Sequence, residues 1–89
     1  MKMKKMKLLY KKQTVVKDAY LVSTVAYDGH LSVSHTAETL VFAYDPARGA
    51  DFGTVYYAEQ HGLHPSTETL EAAHRAIVRM MEEWVEEKV

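Results

Sequence analysis

The amino-acid sequence predicts an α+β domain, in which an antiparallel sheet of four or five strands is packed on one face by a single long C-terminal helix. Two observations support this fold class. Residues 66–88 carry apolar residues at three- and four-residue steps, the spacing that places side chains on one face of an α-helix. The preceding segments are short runs rich in Val, Thr, Tyr and Phe, which are typical of strands. A sheet that covers the apolar face of the helix is the simplest arrangement.

Length and composition indicate one domain, spanning residues 1–89. The chain is 47% apolar, which is enough for a single hydrophobic core at this length. Charged residues make up 26% of the sequence, and there are only two prolines and four glycines. This composition argues against a disordered chain.

The sequence also predicts a soluble, cytoplasmic protein. It contains no cysteine, whereas secreted domains of this size commonly depend on disulfides. The lysine-rich start is not followed by the apolar run of a signal peptide. No segment approaches the ~20 apolar residues that a membrane span requires.

Charge is distributed unevenly along the chain. The first 17 residues hold seven lysines and no acid, whereas the remainder holds four basic residues and all twelve acids. An edge strand with lysines on its open side fits this pattern, because lysine deters pairing with other chains. Alternatives are a flexible basic arm that contacts nucleic-acid phosphates and a strand that pairs with a partner protein. The candidate nucleic-acid residues are Lys2, Lys4, Lys5, Lys7, Lys11 and Lys12.

The clearest turn signal lies between two strand-like segments, at Asp28-Gly29. Asp-Gly favours a two-residue hairpin turn, since both central positions need positive φ. This turn would place Val22 opposite His35, and it leaves open which face of the hairpin points to the core. Residues 39–44 and 52–58 are predicted to form two further strands.

Loops are predicted on either side of the last strand. The segment DPARGAD, residues 45–51, contains Pro46 and Gly49, which suit a turn. Residues 59–65 are predicted to form a polar connector into the helix.

The predicted C-terminal helix suggests a contact surface at its end. Ser66 or Thr67 is positioned to cap its first turn. A helix over residues 66–88 would reach roughly 34 Å, longer than a typical strand of about 17–20 Å, so we expect it to overhang the sheet. Trp and Met are enriched in interface cores. The candidate partner-binding residues are Met81, Trp84 and Val85, together with Glu82, Glu83, Glu86 and Glu87.

Histidines provide the remaining candidates for chemistry. His61 and His64 form an H-x-x-H pair near Glu59, and imidazole and carboxylate are ligands that zinc and nickel use. His30 and His35 are alternative general acid and base groups for a metal-free nuclease. Neither pattern is a characteristic catalytic or metal-binding motif, so the sequence predicts no cofactor and no enzymatic activity.

The segment GLHPSTETLEAAHRAI, residues 62–77, resembles the end of the partly sheet-formed domain of HicB-type antitoxins. In that family a strand leads into a helix that begins with Thr and continues with Ala and Ile on one face. The chain lacks the Pro-Gly-Cys-like turn typical of the family and its C-terminal DNA-binding segment. The resemblance therefore implies a sheet-to-helix transition, with an antitoxin-like regulator as one possible function.

These observations favour a small non-catalytic interaction protein, an inhibitor or regulator of the kind that phages and other mobile elements encode. It would occlude a macromolecular partner, and its acidic body would mimic the charge of nucleic acid. A sheet face that the single helix leaves uncovered further suggests a homodimer. The alternatives are a nucleic-acid-binding regulator that acts through its lysines and a His-dependent metal protein or nuclease.

Overall fold

The computed structural model describes residues 7–28, 35–63 and 65–85 and confirms the predicted α+β class. The described elements are four strands followed by one helix. They are β1 (Lys7–Val16), β2 (Tyr20–Asp28), β3 (His35–Asp45), β4 (Gly49–Leu63) and α1 (Thr67–Glu82). Lys2, Lys4 and Lys5 lie outside the described residues, as do His30, His64, Glu86 and Glu87.

The strands form one antiparallel sheet in the order β1-β2-β3-β4. β1 and β2 are joined by a turn in which Lys17 and Asp18 adopt φ values of 55° and 53°, the left-handed region that Asp tolerates better than most residues. β3 and β4 are joined at residues 46–48, within the predicted loop at residues 45–51, and Gly49 has φ 85°. The loop is shorter than predicted, because Asp45 belongs to β3 and residues 49–51 belong to β4. Side-chain capping supports this second turn, because the Asp45 carboxylate accepts a hydrogen bond from the Ala47 N–H.

The predicted two-residue hairpin at Asp28-Gly29 is wrong. Asp28 pairs with His35, and Val22 pairs with Val41 rather than with His35. The observed register places Val22 and Val41, both fully buried, side by side beneath the helix. Burial of that pair outweighs the local preference of Asp-Gly for a tight turn, because register follows the apolar pattern.

α1 packs mainly on β1 and β2 and defines the inner face of the sheet. Its apolar stripe includes Ile77 and Met81, which join a core cluster with residues from the first three strands. A second, smaller cluster surrounds Leu70 near the start of the helix. The buried strand residues in these clusters are Val16, Tyr20, Val22, Ala26, Ala37 and Val41.

The helix is shorter than predicted. It begins after Ser66, whose side chain accepts the Thr69 N–H as an N-cap, and it ends at Glu82 rather than Lys88. Beyond it the chain turns so that Trp84 packs against the core, and its carbonyl accepts a hydrogen bond from Lys17 Nζ.

The helix was predicted to extend beyond the sheet, and the structure shows the opposite. The 16 residues of α1 span about 24 Å at 1.5 Å each, whereas the 15 residues of β4 span up to ~50 Å at strand spacing. Residues 59–63, predicted as a connector, belong to β4. The sheet therefore extends beyond the helix, and β4 lies largely outside the area that the helix covers.

Candidate functional site

The face of the sheet opposite α1 is not covered by any described element, and we call it the open face. It contains a shallow groove of about 300 Å³ that crosses all four strands. Side chains alternate between the two faces of a strand, so residues adjacent to the buried inner ones project here. The groove is lined by Leu8, Lys11, Gln13, Ser23, Val25, Tyr27, Glu38, Leu40, Phe42 and Phe52.

The open face exposes large apolar side chains. Phe52 is 64% exposed and stacks edge-to-face on Phe42, with ring centroids 4.9 Å apart. At the other side of the groove Leu8 is 49% exposed. Val15, which pairs with Leu21 on this face, is 42% exposed. Apolar side chains near one groove, rimmed by polar groups, are typical of an interaction surface.

The two charged side chains that line the groove carry opposite charges, so its net charge is close to zero. Lys11 from β1 and Glu38 from β3 contribute opposite charges. Glu38 accepts a hydrogen bond from Gln60 Nε2 at 3.1 Å, and Gln13 donates to Ser23 Oγ at 3.2 Å. Cross-strand bonds of this kind hold polar side chains on the sheet without concentrating one sign of charge.

The lysine candidates that the structure describes lie on an edge strand. Lys7, Lys11 and Lys12 are exposed residues of β1, which agrees with the edge-strand interpretation of this segment. They do not share a face, since Lys11 lines the groove whereas Lys12 pairs with the inner-face residue Thr24. The described lysines therefore do not form one basic patch.

The candidate partner-binding residues at the end of α1 differ in how exposed their side chains are. Met81 is fully buried in the core, so its side chain offers no surface to a partner. Trp84 is partly buried against the same core. Val85 is 81% exposed, and Glu82 and Glu83 are exposed beside it. The solvent side of the helix also carries basic residues, Arg75 and Arg79, which weakens the resemblance of this surface to a polyanion.

A chain of polar side chains runs under the helix and across the inner face. His74 of α1 contacts Thr14 Oγ1 through Nε2 at 2.8 Å and Thr24 Oγ1 through Nδ1 at 2.7 Å. Thr24 Oγ1 lies 2.7 Å from Thr39 Oγ1, which in turn lies 2.6 Å from Nε2 of His61. We call these five residues the polar chain. It connects the two edge strands of the sheet through its interior.

The polar chain ends at His61, beside the carboxylate of Glu59. One carboxylate oxygen of Glu59 lies 3.6 Å from His61 Nδ1. The other carboxylate oxygen accepts a 2.7 Å hydrogen bond from the Tyr57 hydroxyl. That hydrogen bond raises the pKa of Tyr57 above its usual value. The His61 side chain is 5% exposed and that of Glu59 is 42% exposed. The carboxylate therefore borders solvent while the imidazole does not.

Burial favours the neutral form of His74. Desolvation lowers the pKa of His74 below its ordinary value, and the positive charge of Lys12 lowers it further. A neutral imidazole has one N–H donor and one acceptor nitrogen, which matches its two threonine partners.

The geometry does not favour His61 as a metal ligand. Its Nε2 is engaged by Thr39, and its Nδ1 faces Glu59 from within the fold. Within residues 7–28, 35–63 and 65–85, no group of three His, Cys, Asp or Glu side chains is placed to hold a metal ion.

Sequence reasoning missed the threonines of the polar chain. Thr14, Thr24 and Thr39 are common strand residues, and only the correct strand register brings them together. His74 lies on the buried stripe of the helix, but its two hydrogen-bond partners come from segments 50 and 60 positions away. The signal that was available is the position of a histidine on the buried stripe of an otherwise apolar helix.

No protein-family model matches the chain, and neither the curated proteins nor the solved structures contain a significant match. The resemblance of residues 62–77 to HicB-type antitoxins thus gains no support from these comparisons. Among the described residues, no helix is long and apolar enough to cross a membrane.

Proposed function

We propose that this chain is a small non-catalytic interaction protein that inhibits or regulates a macromolecular partner by occluding it, and that the partner is a protein bound at the open face. The observation that carries the proposal is the groove, with Leu8 and Phe52 exposed at its sides. Exposed apolar side chains that converge on one groove favour a surface that a partner buries.

The chemistry of the groove favours a protein partner over nucleic acid. Aromatic rings and Lys11 share this surface, and sheets that bind single-stranded nucleic acid combine these residue types. Glu38, however, contributes a negative charge to the same groove, and Lys12 lies on the other face. Phosphate binding requires a surplus of positive charge, so the nucleic-acid-binding regulator is our second candidate.

The proposal revises where the partner binds. The sequence alone favours the end of the helix, around Trp84 and Val85 with its glutamates. Met81 is unavailable there, and the arginines of the helix dilute the acidic charge. Val85 and the exposed glutamates remain candidate contacts. Because they lie away from the open face, a variant at Val85 also serves as the control for variants of the open face.

The first experiment is a pull-down from host lysate with the wild-type protein and two variants, each with and without nuclease treatment. Phe52→Glu places a charge in the open face, and Val85→Glu places the same charge on a residue elsewhere that is more exposed still. We expect a stoichiometric protein that survives nuclease, is lost with Phe52→Glu and is retained with Val85→Glu. Loss with Val85→Glu alone would return the partner site to the helix end, and recovery that depends on nucleic acid would favour the second candidate.

A captured protein must also be inhibited or regulated for the proposal to hold. Once it is identified, its activity is measured against increasing concentrations of the wild-type chain and of Phe52→Glu. We expect a change in activity that saturates at a fixed molar ratio with wild type and is at least tenfold weaker with Phe52→Glu. An unchanged partner activity at saturating wild-type protein would contradict the regulatory part of the proposal.

A further inference from the structure

The polar chain has a direction, because each threonine hydroxyl has one hydrogen to donate. If Nε2 of His61 accepts from Thr39, the Thr39 hydroxyl must accept from Thr24. The Thr24 hydroxyl is then used as a donor, so it must accept from Nδ1–H of His74. The Nε2 atom of neutral His74 is left as an acceptor, and Thr14 donates to it. One choice at His61 therefore determines all four bonds.

The opposite choice reverses every bond. If Nε2–H of His61 donates to Thr39, full pairing requires Thr39 to donate to Thr24 and Thr24 to donate to Nδ1 of His74. His74 then carries its proton on Nε2 and donates to Thr14. The number of protons is the same in both arrangements, so reversal requires no net uptake or release. Mixed arrangements leave either a buried hydroxyl hydrogen without a partner from the polar chain or two acceptor atoms facing each other with no hydrogen between them, and both are costly.

The charge at Glu59 selects between these arrangements. Its carboxylate lies 3.6 Å from Nδ1 of His61 and favours a proton on that nitrogen, which leaves Nε2 of a neutral ring as the acceptor. We infer that Glu59 determines which ring nitrogen of the buried His74 carries the proton, and that a cationic group docking on Glu59 reverses the polar chain. Glu59 is thus a positioning residue that acts on His74 through His61 and three hydrogen bonds.

The site on Glu59 is accessible to such a group. Glu59 pairs with Thr39 on the inner face, but β4 lies largely beyond the area that α1 covers. Its side chain is 42% exposed, and Tyr57 holds it by one oxygen while the other faces His61. The matching occupant is a lysine or arginine side chain of a partner protein, whose positive charge complements the carboxylate. This inference does not depend on the open face, which is on the other side of the sheet.

Nitrogen-15 NMR of the histidine rings tests the inference directly, because a protonated and a bare ring nitrogen have well-separated shifts. Spectra are recorded at about pH 8, where an ordinary imidazole is neutral. In the wild type we expect His74 to carry its proton on Nδ1. In Glu59→Lys, whose ammonium mimics a docked cation and donates toward Nδ1 of His61, we expect the His74 proton on Nε2.

Variants of Thr39 show whether the charge at position 59 acts on His74 through the hydrogen bonds of the polar chain or directly through space. In Thr39→Val/Glu59→Lys the polar chain is cut, so the lysine should no longer change the His74 tautomer relative to Thr39→Val alone. In Thr39→Ser/Glu59→Lys the hydroxyl is restored, and the reversal should return. A His74 proton on Nε2 in the wild type, an identical tautomer in wild type and Glu59→Lys, or a reversal that persists with Thr39→Val would each overturn the inference. All comparisons use the full chain, with native folding checked in the same spectra.

Discussion

His74 is the residue on which the polar interior depends most. It is buried, and its two ring nitrogens join the helix to β1 and β2. Nε2 makes a hydrogen bond with the Thr14 hydroxyl, and Nδ1 makes one with the Thr24 hydroxyl. A buried polar group with satisfied bonds stabilises a fold modestly, whereas loss of one partner leaves the others unsatisfied.

We predict that His74→Ala lowers the free energy of unfolding by about 2–4 kcal/mol, because it creates a cavity and leaves two threonine hydroxyls without that partner. Urea denaturation measures this change. Arg75→Ala, at the exposed neighbouring position, is the control and should cost less than about 0.5 kcal/mol. Similar stabilities for the two variants would show that the polar chain contributes little.

The lowered pKa of His74 predicts a pH dependence of stability. In the unfolded chain the histidine titrates near the ordinary value of 6.5, whereas the folded protein binds that proton only at lower pH. Below about pH 6.5 the unfolded state therefore holds more protons, and the free energy of unfolding decreases as the pH falls toward the folded pKa. Above pH 6.5 this contribution is complete.

His74→Gln, which does not titrate, isolates this effect. The difference in unfolding free energy between wild type and His74→Gln should be constant above about pH 6.5 and should shrink below it. Denaturant titrations at several pH values between about 5 and 8 provide the comparison. A gap that stays constant to pH 5 would mean that burial does not lower the pKa of His74.

At the scale of the helix, the sequence predicted the start better than the end. Ser66 was one of two capping candidates and is the N-cap, since capping depends on local residues. The end depends on tertiary contacts, namely the packing of Trp84 on the core and the hydrogen bond from Lys17, which is 67 positions away. Helical periodicity alone cannot show that the chain turns back there.

The N-cap gives a quantitative test of the helix start. Ser66→Ala removes the acceptor of the Thr69 N–H and should lower the free energy of unfolding by about 1 kcal/mol. Thr67→Ala, one residue later and also exposed, should change it by less than half as much. Thermal unfolding of the two variants measures the difference, and the reverse ranking would place the cap at Thr67.

The end of the helix is tested by two apolar residues that differ in burial. Met81→Ala should cost about 2–5 kcal/mol because it opens a cavity in the core, whereas Val85→Ala should be nearly neutral. Chemical denaturation measures both. A small effect for Met81→Ala would restore this residue as a surface candidate.

At the scale of the sheet, strand content was predictable but register was not. The β-branched and aromatic runs identify β2, most of β3 and the middle of β4. The Asp28-Gly29 signal misassigned the β2–β3 pairing, because a local turn preference was weighed without the long-range burial of Val22 on Val41. The inner face, left open by the sequence, follows once that pair is known.

At the scale of the whole molecule, the uncovered face was predictable from the count of elements, since one helix covers one side of a sheet. The groove itself was not, because it depends on Phe52 stacking on Phe42 across an irregular part of the β3–β4 pairing.

A homodimer stays a prediction, because the exposed apolar residues of the open face are also a surface that a second copy of the chain could bury. Light scattering tests it, with a mass of about twice 10.1 kDa expected and 10.1 kDa contradicting it.

The measurement that tests the central claim most directly is site-specific photo-crosslinking in cells that express the chain. A photoreactive phenylalanine analogue replaces Phe52 on the open face or, as a matched control, the exposed Ala72 on the solvent side of α1. The account predicts one discrete adduct from position 52 that contains a protein other than this chain, and none from position 72. An adduct from position 72 without one from position 52 would contradict it, because the partner would then bind the helix side and leave the groove empty.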